Sequence, residues 1–273
     1  MKEQVCPSDE FCRKIRLDII EMLYHAQSGH PGGSLSCVEI LTELYSEHMR
    51  IRPNQPDWPD RDRLILSKGH AAPALYAILA ETGYFSKDIL MTLRQPDSIL
   101  QGHPNSRLTP GIDATSGPLG LGLSFAVGNI LSARVKGQDY IDFVILGDGE
   151  IQEGIIWEAA MSAAKFHCDR VIAILDWNNV QLDGTNNEIM PLGDVKGKFE
   201  SFGWRTFECD GHDMQDIDRA LNEAKHFDGR PSVILAHTVK GKGVSFMENR
   251  SEWHGKAIDY EHYQIAVREL GGH

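Results

Sequence analysis

Short apolar runs that alternate with helix-length segments leave this chain few ways to fold. "RLILS" leads through "KGH" into the helical stretch "AAPALYAILAETG". "DYIDFVILGD" turns at Gly147 to Gly149 and continues as a helix over "IQEGIIWEAAMSAAKFH". "RVIAILDWNN", "GWRTFECDGHD" and "PSVILAHTVKGKG" read as three further strands. Strands alternating with helices imply an α/β fold, a mostly parallel sheet with helices on both faces. Ahead of these units, "DEFCRKIRLDIIEMLYHAQ" spaces Ile15, Ile19, Met22 and Leu23 at helical intervals and stops at the turn signal "SGHPGG". "SCVEILTELYSEHM" fits a second helix with Ser36 as N-cap. No repeat, low-complexity segment or Pro/Ser linker divides the chain, so residues 1–273 are expected to form a single domain.

Charge and cysteine usage narrow the function. With 27 basic against 39 acidic residues the net charge is −12, which argues against nucleic acid or an anionic membrane as partner. No apolar run approaches the ~20 residues that span a bilayer. The start, "MKEQVCPSDEFCRKI", lacks the apolar core of a signal peptide. Cys6, Cys12, Cys37, Cys168 and Cys209 are scattered, with no C-x-x-C pair, and are expected as reduced thiols in a cytoplasmic protein.

The predicted strand ends carry the chemistry. "LSKGH", "LGD", "DWNN" and "HTVKG" would gather at one sheet edge, where ligands of open α/β sheets bind. The glycines around Asp148 fit neither G-x-G-x-x-G, since Gln152 stands in place of the third glycine, nor a P-loop. A metal reading works better. Residues 150–177 make one helix and one strand, a crossover that returns Asn178 beside Asp148. Carboxylate, amide and backbone carbonyl oxygens suit a hard cation such as Mg²⁺, completed by phosphate oxygens. A helix starting near Glu150 would offer free N–H groups to the same phosphates. Each half alone reads equally as a turn, because Asp and Asn favour turns. Their joint placement at successive strand ends is what points to a ligand.

"GDG" followed one helix and one strand later by "NN" resembles the thiamin diphosphate motif. The segments "SGHPGG", "DRLILSKGHAAPALYA", "GHPN", "TSGPLGLGLSFAVG", "LGDGEIQEGIIWEA", "AILDWNNVQLDG", "TVKGKGV" and "WHGKA" are similar to transketolase segments, in transketolase order. The resemblance implies the thiamin diphosphate-binding fold of that family's N-terminal domain. It implies Asp148, Asn178 and the Val180 carbonyl as ligands of Mg²⁺, for which Ca²⁺ or Mn²⁺ can substitute. It implies His70 and Gly149 on the diphosphate and Lys240 near the cofactor. Gly117, Pro118 and Leu119 would shape the bent cofactor. His30, His103 and His254 would face the sugar hydroxyls and carbonyl oxygens, and Glu153 would lie at a subunit interface. Imidazole suits the task, since ketol transfer needs groups that bind hydroxyls and shuttle protons near neutral pH. His25, His48, His167, His226 and His237 are read as structural or surface residues, His212 is given no chemistry, and Trp157 is read as core.

Two departures stand out. Gly33 lies where several family members carry a small hydroxyl residue near the diphosphate. The chain also stops at His273, soon after "WHGKA", where full transketolases continue with a pyrimidine-binding domain. The expectation is therefore the N-terminal subunit of a split transketolase. Its C-terminal partner would supply the pyrimidine domain in a heterotetramer, and the surface around "GPLGLGLSFAVG" would pack against it. Sugar phosphates are the expected substrates, with an unusual ketose phosphate or sulfonated sugar as a specialised alternative. The diphosphate-binding subunit of a 2-oxoacid dehydrogenase shares the "GDG" and "NN" elements but not the histidine set. A non-catalytic subunit that kept the fold is the reading from another class.

Overall fold

The first helix forms over Asp9–Ala26 (α1), where the Ser8 side chain accepts the Phe11 N–H at 3.1 Å and Asp9 and Glu10 complement the dipole. Ile15, Ile19, Met22 and Leu23 are all buried on its inner face. The computed structural model describes residues 7–272, so Cys6 lies outside the described residues. The remaining elements follow in chain order. They are α2 (Pro31–Leu35), α3 (Val38–Glu43) with a π-helical turn over Leu44–His48, β1 (Arg63–Leu66), α4 (Ala72–Thr82), α5 (Leu121–Lys136), β2 (Asp142–Gly147), α6 (Gly154–Lys165), β3 (Val171–Trp177), α7 (Asn186–Ile189), α8 (Val195–Ser201), β4 (Arg205–Asp210), α9 (Met214–Ala224), β5 (Ser232–His237) and α10 (Tyr260–Glu269).

The five strands form one sheet in the order β1-β2-β3-β5-β4, and every neighbouring pair is parallel. Successive side chains of a strand point to opposite faces, and both faces are filled. Leu64, Leu66, Phe143, Ile145, Ile172, Ile174 and Ile234 join the core under α1, α3, α4 and α9. Ile65, Val144, Leu146, Ala173, Leu175, Val233 and Leu235 join the core under α5, α6 and α8. This explains why the strands read as near-continuous apolar runs rather than alternating ones. The edge strand β4 is the exception, with Glu208 exposed and paired to Lys196. Among the described residues no helix is long and apolar enough to cross a membrane.

Register places the functional ends together. Gly147 pairs with Asp176, and Trp177 pairs with His237. Asp148, Asn178 and Thr238 to Lys240 therefore leave the sheet side by side, with Lys68 beyond the end of β1.

Three local expectations are corrected. "PGGSL" is helical rather than a turn, with Pro31 opening α2. Ser36 is not an N-cap; its hydroxyl donates to the Asp176 carboxylate at 2.6 Å and to the Gly33 carbonyl at 3.1 Å. The helix after Asp148 starts at Gly154, behind a 3₁₀ turn over Glu150–Gln152, because the Glu150 carboxylate is drawn inward. It accepts the Gly147 N–H at 3.0 Å, the Gly120 N–H at 2.7 Å and the Ser67 hydroxyl.

Candidate active site

Asp148 is buried where β2 ends, 3 % exposed. Its Oδ1 accepts the Gly149 N–H at 2.8 Å, and its Oδ2 accepts the Asn186 side-chain amide at 2.9 Å and the Asn179 N–H. Asn179 adopts φ 64°, a left-handed conformation that asparagine tolerates better than most residues, and so brings its N–H round to Asp148. Asn178 and Val180 flank it. The Asn178 Oδ1 accepts the Val180 N–H at 3.1 Å. The Val180 carbonyl accepts from Lys240 Nζ at 2.9 Å, leaving a second lone-pair direction. Burial first, and then the Asp176 charge, push Asp148 up to about 6. A desolvated carboxylate beside an amide oxygen and a carbonyl oxygen is an all-oxygen donor set, the kind that suits Mg²⁺.

The lysine and the loops are held by a second layer absent from the motif reading. Lys68 and Asp176 form a fully buried ion pair, with side chains 2 % and 0 % exposed. Lys68 Nζ also donates to the Gly33 carbonyl at 2.7 Å, and Thr238 donates to Asp176. Burial works to strip the Lys68 proton, and Asp176 more than offsets it, holding the ammonium well above its ordinary range. Lys240 lacks such a partner, and burial lowers it to about 8. Its Nζ sits 2.8 Å from His254 Nδ1 and donates to the Gln181 carbonyl at 3.1 Å. The loop that carries Lys240 is braced by His212, whose Nε2 accepts the Val239 N–H at 2.8 Å. His212 Nδ1 therefore donates to Glu39, 3.0 Å away. Burial raises Glu39, but His212 and Arg16 overcome it and hold the carboxyl down to about 2.

Four histidines converge above this floor. Ring centroids of His30 lie 5.3 Å from His70, 5.4 Å from His254 and 6.4 Å from His103, and His70 lies 4.9 Å from His254. Burial leads in lowering all four; it takes His30 to about 4 and His254 to about 3, helped by Arg94 and His103 for the first and by Lys240 and His30 for the second. At neutral pH each ring is uncharged, with one N–H to donate and one nitrogen to accept. His30 Nδ1 is buried without a hydrogen-bond partner, an atom left for a ligand to satisfy.

The floor residues Asp148, Asn178 and Val180, the two lysines and the four histidines line one cleft of about 420 Å³, with Asp176, His212 and Glu39 behind them. It brings together Asp148, Asn178, Val180, His30, His70, His103, His254, Lys240, Gly117, Leu119, Gly149 and Glu153. Pro118 is exposed beside it and does not line it. Glu153 is exposed at the rim, at the N-cap position of α6. A Cβ added to Gly117 would meet nothing within 4 Å, so its backbone faces open space, whereas one on Gly33 would sit 3.2 Å from His70 Nε2. The cleft thus gathers oxygens that could hold a cation, N–H and ammonium groups that could hold an anion, and imidazoles that could bind hydroxyls. Lys68, Asp176 and Glu150 were missed; the only signal was their place at strand ends in "SKGH", "LDWNN" and "GDGE".

A parallel sheet with this cleft at its carboxyl edge defines a diphosphate-binding α/β domain, and comparison narrows it. A family model described as "Transketolase, thiamine diphosphate binding domain" matches residues 8–273, and the chain belongs to the transketolase family, a family of transferases. It is 44% identical over 270 residues to the 6-deoxy-6-sulfo-D-fructose transketolase subunit SqwG of Clostridium sp. (strain MSTE9), covering 99% of this chain and 98% of that protein. It is 41% identical over 257 residues to an apulose-4-phosphate transketolase subunit of Phocaeicola vulgatus, covering 94% of this chain and 91% of that protein. The structure superposes on transketolase from Leishmania mexicana with a TM-score of 0.91 and 31% identity, over 97% of this chain but 41% of that one.

Proposed function

We propose that residues 1–273 form one domain that serves as the N-terminal subunit of a two-component transketolase. With a C-terminal, pyrimidine-binding subunit it transfers a two-carbon ketol unit from a ketose phosphate to an aldose phosphate. The observation that carries this reading is the convergence of the Asp148, Asn178 and Val180 oxygens with four neutral histidines on one cleft.

Asp148, Asn178 and the Val180 carbonyl would hold Mg²⁺, or Ca²⁺ or Mn²⁺ in its place. His70, Lys240 and the Gly149 N–H would bind the diphosphate, with Gly117 and Leu119 along the ring system. When bound, thiamin diphosphate supplies the nucleophilic carbon and the electron sink on which two carbons are carried. His30, His103 and His254 bind the sugar hydroxyls and carbonyl oxygen. A neutral imidazole donates its N–H to a carbonyl oxygen and accepts a hydroxyl proton at its free nitrogen. Glu153, at the rim, is assigned to the contact between subunits. The partner surface is placed on α5, where Phe125 is 47 % exposed and Leu119, just before the helix, is 38 % exposed. Met161, on α6, which packs against α5, is 52 % exposed as well. Both relatives that the chain covers almost end to end are named as subunits, which supports a two-chain assembly, taken here as a heterotetramer. Cys12, Cys37, Cys168 and Cys209 are buried free thiols, which supports a cytoplasmic setting. A 2-oxoacid dehydrogenase subunit is not favoured, since these two relatives are transketolase subunits.

The test is co-purification with the partner subunit, followed by ketol-transfer assays with thiamin diphosphate and Mg²⁺. The donor screen takes xylulose 5-phosphate, 6-deoxy-6-sulfofructose and apulose 4-phosphate. Transfer by the complex and none by the chain alone is expected. Full transfer by the chain alone, or pyruvate decarboxylation without sugar turnover, would overturn the reading.

A further inference from the structure

Arg94 adopts φ 62°, a left-handed conformation that a residue with a Cβ rarely takes. Such strain persists only where surrounding contacts enforce it, and it gathers near functional sites. The contacts are visible. The Arg94 N–H donates to the Leu100 carbonyl at 2.8 Å, closing the loop that leads to His103. Its Nη1 donates to the Ser28 hydroxyl at 2.8 Å, two residues before His30. Its guanidinium lies flat on Gly102, the residue before His103. A Cβ built on Gly102 would stand 3.0 Å from Cζ, 3.0 Å from Nη2 and 3.1 Å from Nε, nearly equidistant from three atoms of one plane. Among the described residues Arg94 makes no ion pair, so its charge is not spent on a carboxylate. One side chain therefore spans the two loops that deliver His30 and His103 to the cleft.

We propose that Arg94 is a positioning residue for the ketol transfer, a proposal that rests on the functional reading above: it locks the "SGH" loop to the "GHP" loop so that His30 and His103 address one substrate together. Gly102 is the matching half of the device, because a Cβ there would press the guanidinium back by a few tenths of an ångström. The same charge disfavours protonation of both rings, after burial, and keeps them in the neutral form that binds hydroxyls. His30 is also faced by His103, Lys240 and the rings of His70 and His254, and His103 by Arg94 and the His30 ring. None of these is an acid, so no carboxylate compensates for Arg94.

The test uses the complete two-subunit enzyme with thiamin diphosphate and Mg²⁺, in Arg94→Met, Gly102→Ala and the double variant. Displacing the histidines by an ångström is expected to lower kcat/KM for the donor by about 10²-fold, carried mainly by KM. Thiamin diphosphate affinity stays at the wild-type value in all three. Gly102→Ala keeps the charge but loses the flat contact, so it shares the KM rise. The double variant is no worse than the more damaged single, since the added methyl then meets no guanidinium. In Arg94→Met alone the acid limb of kcat/KM moves to higher pH. Wild-type KM in Arg94→Met, or additive losses in the double variant, would overturn the proposal. Absence of ketol transfer in the wild-type complex would count against the functional reading instead. In that event, NMR titration of His30 and His103 in wild type and Arg94→Met still decides the matter. Raised midpoints report the lost charge, and weakened cross-relaxation between the two rings, 6.4 Å apart in the native cleft, reports the lost clamp; wild-type ring-to-ring cross-relaxation in Arg94→Met refutes it.

Discussion

Replacing Asp176 by Asn should destabilise the fold by several kcal/mol while altering hardly any shape. The Asp176 side chain is 0 % exposed and that of Lys68 2 %, so the pair is shielded from water and salt. The carboxylate accepts from Lys68, Thr238, the Ser36 hydroxyl at 2.6 Å and the Asn178 amide at 3.4 Å. Asparagine fills the same volume and keeps one oxygen to accept, but it removes the negative charge that neutralises the ammonium, whose remaining partners, the Gly33 carbonyl and the Ser36 hydroxyl at 2.7 and 3.4 Å, are uncharged. Removing one partner of a buried ion pair costs about 3–5 kcal/mol, against a total stability of about 5–15 kcal/mol. The pH dependence separates this cause from simple misfolding. In the wild type Asp176 sits below its ordinary range: burial raises it, but Lys68, Ser36 and Thr238 prevail. Its contribution is therefore present above the ordinary carboxylate value and lost as pH falls through the native one. In Asp176→Asn the buried Lys68 becomes easier to deprotonate than in the unfolded chain. The unfolded state then binds more protons, so the variant regains stability as pH rises toward the ordinary lysine value of about 10.4. Urea unfolding from neutral to alkaline pH measures both effects. Adding Lys68→Met should recover part of the loss, because the orphaned charge is gone. A neutral-pH change below about 1 kcal/mol, the worth of an exposed pair, would refute the reasoning.

Gly122→Ala places a methyl 2.5 Å from Ser67 Cβ and 3.0 Å from its Cα, so it should cost about 1–3 kcal/mol as overpacking, read by urea unfolding. His30, lowered from 6.5 to about 4 by burial first and then by Arg94, His103 and Lys240, refuses a proton that the unfolded chain accepts. Its contribution is full above pH 6.5 and declines toward pH 4, so His30→Gln should flatten the fall of the melting temperature across that window. Phe125→Asp, on the 47 % exposed face of α5, should leave the melting temperature of the chain unchanged yet abolish co-elution with the partner subunit.

Much of this was legible in the sequence, for a physical reason. Parallel strands buried on both faces must read as apolar runs, so β1, β2, β3 and β5 announced themselves. The exits of parallel strands fall on one edge, which brings Asp148, Asn178 and Lys240 together. Helix α5 was not legible as a helix. Gly122 and Gly128 lower its propensity, and it opens at Gly120 in a left-handed conformation with no side-chain cap. Ser36 was misread because a hydroxyl before an apolar stretch is the ordinary sign of a cap; its partner, Asp176, lies 140 residues away. Glu150 was misread as the first turn of a helix for the same reason. Its ties to Ser67 and Gly120 are tertiary, and no local pattern reports them. Arg94 gave no signal, because its meaning lies in a contact with Gly102 that exists only once the loop has closed.

The central claim is that Asp148 holds the diphosphate half of the site through a metal ion. Calorimetric titration of thiamin diphosphate with Mg²⁺ into the two-subunit complex tests it directly, comparing wild type with Asp148→Ala. The account predicts Mg²⁺-dependent binding in the wild type and none in the variant, with the circular dichroism spectrum retained. Equal affinity in the two proteins would contradict it.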